Sequence, residues 1–135
     1  MDILYYGILK DQLVEYNKKI GKPYGNKIVS YVPTDTKYPY TVFSEIRNTT
    51  NPNFNAPHDR VASVGYRVDI VAQNKDGKDR ETIAREILFL IDKFLVSKHL
   101  DRVSFNTMFD GKDQSKCRII ATYTGNLSEF RRTII

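Results

Sequence analysis

A chain of 135 residues with 41% hydrophobic and 27% charged residues is expected to form one domain, residues 1–135, burying roughly two-thirds of its unfolded surface. No apolar run approaches the ~20 residues of a membrane helix. The start, Met1-Asp2-Ile3-Leu4-Tyr5-Tyr6, has neither a basic leader nor a small-residue cleavage site, and the single cysteine, Cys117, excludes an internal disulfide framework, so a reducing cytoplasm is the expected compartment. The net charge of +5 is spread among acids, as in Lys75-Asp76-Gly77-Lys78-Asp79-Arg80, which favours a solvated surface over a dedicated nucleic-acid patch.

Residues 2–20 read as a helix, with Ile3, Leu4, Ile8, Leu9, Leu13, Tyr16 and Ile20 on one apolar stripe, Asp2 as its cap and Gly21 as its stop. Residues 23–26 are a turn. Residues 28–32 form a short strand ended by Pro33, and Pro39 opens a second strand over 40–47. In that strand Val42 and Ile46 are expected on one side and Phe43 with Glu45 on the other. Residues 48–59 hold two prolines and little apolar content, which predicts a long mobile loop ordered by a partner.

Residues 60–74 alternate strictly, with Ala62, Val64, Tyr66, Val68, Ile70 and Ala72 on one face, and make a hairpin with the preceding strand. A charged turn at 75–78 leads to Asp79 as cap of a second helix over 80–97. Its core stripe is Ile83, Ile87, Leu88, Ile91, Phe94 and Leu95. Strands over 103–109 and 117–124 flank a turn at 110–113, and a tail occupies 126–135. The expected fold is α+β, a mostly antiparallel sheet of four to five strands with two main helices packed on one face.

Chemistry is weakly signalled. His58 and His99 are far apart with no cysteine cluster, so no metal site is expected, and His99 suits a helix C-terminal cation. Cys117 has no activating neighbour, and no nucleophile elbow, Walker loop or dinucleotide fingerprint occurs, so neither a catalytic residue nor a cofactor is expected. Glu45 and Asp69 are able to approach across the hairpin, although strand surface charges do so routinely. The many tyrosines suit an interface or the rim of a core.

The opening helix, Val32-Pro33-Thr34-Asp35 followed by Tyr38-Pro39-Tyr40-Thr41-Val42-Phe43-Ser44-Glu45, the strand Tyr66-Arg67-Val68-Asp69-Ile70-Val71 and the helix start Glu81-Thr82-Ile83-Ala84-Arg85-Glu86-Ile87 resemble the tail-terminator, or tail-completion, proteins of long-tailed (siphovirus-like) bacteriophages. The resemblance runs to about residue 109 and rests on the order and spacing of these pieces. It implies a structural, non-enzymatic virion protein in the tail-neck region, present in the host cytoplasm during assembly. Its copies would form a ring, commonly a hexamer, that ends tail-tube polymerisation. The implied partners are the major tail tube protein and the head connector or stopper protein, with genomic DNA passing transiently and no membrane. Alternatives are another neck component, a tube subunit or a small basic nucleic-acid-binding module. Composition, rather than the resemblance, nominates Arg47, Asn53, Phe54, His58, Arg60, Arg131 and Arg132 as candidate partner or lumen contacts.

Overall fold

A computed structural model describes residues 5–33, 37–50, 61–109, 116–128 and 133–134. In chain order the elements are α1 (Tyr5–Lys19), a 3-10 turn (Pro23–Gly25), β1 (Lys27–Val29), β2 (Tyr40–Thr50), β3 (Val61–Gln73), α2 (Arg80–Ser97), β4 (Asp101–Phe109), β5 (Lys116–Ser128) and β6 (Thr133–Ile134). The strands form one sheet in the order β1-β2-β3-β5-β4, with β6 paired to β5. Every pairing is antiparallel except β1 with β2. This is the expected α+β architecture, with both helices on one face of the sheet.

The alternation in β3 sets the core. Ala62, Val64, Tyr66, Val68, Ile70 and Ala72 are all fully buried, and β5 answers them across the ladder with Leu127, Gly125, Tyr123, Ala121, Ile119 and Cys117. Helix α2 covers this floor with Ile83, Ala84, Ile87, Leu88, Ile91, Phe94 and Leu95, the expected stripe plus one alanine. Asp79 caps it, its side chain accepting from the Glu81 amide at 3.1 Å and satisfying a donor the helix itself leaves open. At the other end the Leu100 and His99 amides donate to the Leu95 and Val96 carbonyls, with His99 at φ +65. Leu100 is buried with Leu95, completing a Schellman turn.

Helix α1 buries Tyr5, Leu9, Leu13 and Asn17, one row at four-residue spacing. Tyr6, on the flank of that row, stacks on Phe43 and Tyr66 at 5.5 and 6.3 Å between ring centroids, and its hydroxyl donates to the Phe43 carbonyl. Ile8 is 39% exposed, against expectation, because the row through residues 5, 9, 13 and 17 turns residue 8 away from the sheet. The cap Asp2 and the apolar Ile3 and Leu4 lie outside the described residues. Gly21 does end the helix: at φ +84 it lets the Lys22 amide reach the Asn17 carbonyl at 2.9 Å. The Asn17 amide then donates to the Asn26 carbonyl, and Thr41 donates to the buried Asn26 side chain, both at 3.0 Å, so that a polar pin joins α1, the turn and β2.

Several boundaries differ from expectation, among them the start of β4, at Asp101 rather than Val103. The first strand stops at Val29, since its parallel ladder reaches only Tyr40–Val42, and it leaves Tyr31 and Val32 75% and 66% exposed. Residues 48–50 are strand rather than loop, because Val64, Ser63 and Ala62 of β3 run alongside to satisfy them. Residues 126–128 are not tail: β5 continues to Ser128, Leu127 is buried, and β6 pairs with Leu127 and Ser128.

Candidate functional site: two free edges of the sheet

Among the described residues, the sheet ends on both sides in a strand with a partner strand on one side only. On one side β1 covers β2 only from Tyr40 to Val42, so among the described residues the outer edge of β2 over 43–50 has no partner strand. On the other side, among the described residues, β4 pairs with β5 alone, and its outer edge has no partner strand. Each free edge carries a bulge, in β2 between Glu45 and Arg47 and in β4 between Arg102 and Ser104. The inserted residues, Ile46 and Val103, are 53% and 58% exposed, unusual for β-branched aliphatics in strands.

Gly65 gives the first bulge room. A Cβ there would stand 3.2 Å from Ile46 Cγ1 and 3.3 Å from Arg47 Cβ, tighter than ordinary contact, so a side chain at this position would press the bulged residue outward. Following the ladders across the sheet, Glu45, Tyr66, Tyr123 and Arg102 fall in one row, and Arg47, Gly65, Thr124 and Asp101 in the next. Ile46 lies between these two rows, whereas Val103 lies on the other side of the first, between Arg102 and Ser104, which pairs with Thr122.

The sheet face away from the helices is mixed. Asp69 is 9% exposed and is gripped by Arg118, with Nε at 2.9 Å and Nη2 at 2.5 Å, while Arg67 stands at 3.5 Å. The Asp69 hydrogen bond holds the Arg118 guanidinium above its usual range. The approach of Glu45 to Asp69 does not occur: Asp69 lies opposite Val42, and its carboxylate is occupied by Arg118. Cys117 is fully buried opposite Ala72, and burial pushes its thiol up, which suits a packing role. His99 is exposed and holds the left-handed position of the α2 cap.

Of the nominated contact residues, Arg47 is exposed on β2 immediately after the bulge. Asn53, Phe54, His58, Arg60, Arg131 and Arg132 lie outside the described residues. Composition missed Ile46 and Val103 because an exposed aliphatic in a strand reads as core from sequence.

No protein-family model matches the chain, and a search of curated proteins finds no significant match. No described helix is long and apolar enough to cross a membrane. Among the described residues, no three histidine, cysteine, aspartate or glutamate side chains gather as metal ligands.

Proposed function

We propose that this chain is a structural virion subunit, a tail terminator of a long-tailed bacteriophage, whose copies join head to tail into a ring, most simply a hexamer, at the head-proximal end of the tail tube. The observation that carries the reading is the pair of free edges on opposite sides of one sheet. Because β2, β3, β5 and β4 alternate in direction, β2 and β4 run antiparallel to each other, so β4 of one copy has the correct sense to meet β2 of the next. Such a contact is heterologous, and it closes into a ring when the rotation between copies divides a full turn. The bulges limit open-ended strand pairing, which suits a component that ends growth. On this reading the ring meets the major tail tube protein on one side and the head connector or stopper on the other, with DNA passing through. The protein then acts by shape, without bond chemistry.

Light scattering across a concentration series and electron microscopy of the purified protein test this. The expected result is one closed species whose mass stops growing, and shortened tubes when it is added to polymerising tail tube protein. A monomer at every concentration that leaves tube length unchanged would overturn the reading.

A further inference from the structure

We infer that one end of the molecule is a docking surface for the phosphate backbone of duplex DNA, held by lysines without regard to base sequence. The surface is built from the end of α1, the turn that follows it and the turn between β3 and α2. Lys18 and Lys19 close α1, Lys22 and Lys27 flank the 3-10 turn, and Lys75 and Lys78 pair across the tight turn before α2. Two contacts join these pieces. Lys75 Nζ donates to the Tyr24 carbonyl at 2.7 Å, and Lys78 Nζ stands 5.4 Å from the centre of the Tyr24 ring. Lysines far apart in the chain are thus brought to one end of the fold, and all six are exposed. In chain order the same lysines are interspersed with acids and read as a solvated surface; only the fold gathers them.

The acids nearby do not cancel this charge. Asp79 and Glu81 are engaged by Arg80 and Arg85, Glu86 by Lys78, and Glu15 stands 3.5 Å from Lys18. That leaves Asp76 as the acid of the two turns, against Lys19, Lys22, Lys27 and Lys75. The Lys75 ammonium is bonded to a neutral carbonyl, so its charge still acts outward. The make-up of the surface selects its occupant. A protein interface wants an apolar centre and is poor in lysine. None of the large apolar side chains exposed among the described residues falls in either turn. An unpaired strand wants an aromatic platform for its bases. The aromatic residue of these turns, Tyr24, has the Lys78 ammonium over its ring and its hydroxyl donates to Glu86, so it offers none. Lysines remain, and as point charges they meet the phosphates of a duplex without reading its bases. The inference stands apart from the ring, because every residue it uses lies on a single copy.

Fluorescence anisotropy with a labelled mixed-sequence duplex, read across a salt series, tests the surface. The wild-type protein should bind at low salt, with log K falling against log salt at a slope of roughly −3 to −5. The double variant Lys19→Gln with Lys22→Gln should make that slope shallower by about two and weaken binding to every duplex alike. The control pair Lys10→Gln with Lys93→Gln removes the same charge from the outer surfaces of α1 and α2 and should leave the slope unchanged. Circular dichroism and an unaltered melting temperature show that both variants fold. Absence of salt-dependent binding, or equal losses in the two pairs, would overturn the inference. Equal affinity for poly-glutamate, lost through the same two lysines, would also overturn it, in favour of an acidic protein partner. A monomer that binds duplex as described would support this surface while removing the ring.

Discussion

At the scale of single residues, Lys22, Tyr24, Asp76 and His99 hold left-handed backbone that their side chains do not favour. His99 holds φ +65 at the end of α2, where a glycine would carry no Cβ penalty. His99→Gly should therefore stabilise the fold by about 1 kcal/mol, read as a raised urea midpoint at constant slope. The helix-end position of this histidine was legible in the sequence, but its left-handed backbone was not, because only the demand of Leu100 for its buried site fixes the turn. Glu86 is a second case. Its carboxylate accepts from the Tyr24 hydroxyl and from Lys78 at 3.3 Å, and these bonds, Tyr24 foremost, hold its pKa below the usual glutamate value. As the pH falls the unfolded chain takes up this proton first, so the contribution of Glu86 is present above the ordinary glutamate range and is lost as the pH drops through the depressed value. Glu86→Gln should flatten the acid limb of stability against pH, measured by denaturant unfolding between neutral and acid pH.

Secondary-structure elements divide by how much of their environment the chain itself carries. Helix α2 and strand β3 were read almost to the residue, since their apolar periods are uninterrupted and each has one face to bury. Ile87 sits in the middle of the α2 stripe at 1% exposure, and Ile87→Ala should cost roughly 2–5 kcal/mol through the cavity it leaves, seen as a lowered melting temperature. Strand β2 was read less well. Phe43 points to the core as its alternation with Val42 implied, but Ile46 was given a regular place in the strand and is instead the extra residue of a bulge. Nothing local to residues 40–47 announces that bulge. It is accommodated by Gly65, nineteen positions after Ile46. Helix α1 shows the same limit: its stripe was legible, but the choice of Tyr5 over Ile8 as a buried residue depends on which flank meets Phe43 and Tyr66.

For the molecule as a whole, α1 closes a core that would otherwise stand open. Tyr6 stacks on Phe43 and Tyr66, Leu9 and Leu13 are fully buried, and Asn17 is bonded into the turn before β1. Removing residues 1–19 should uncover that aromatic cluster and abolish cooperative unfolding, seen as a broad, sloping thermal melt and increased binding of a hydrophobic dye. Assembly belongs to the same scale. Burial drives α2 onto β3 and β5 within one copy, while among the described residues the two outer strands have a partner strand on one side only, which would give the proposed ring its direction. What the sequence determined unaided was the order of elements, the α+β class and the buried faces of α2 and β3, because hydrophobic period is a local property written in neighbouring residues. What the tertiary structure alone decided was the strand order, the parallel β1, the extension of β5 and the bulge on each outer strand, because register joins residues distant in the chain and is settled only when their ladders are paired.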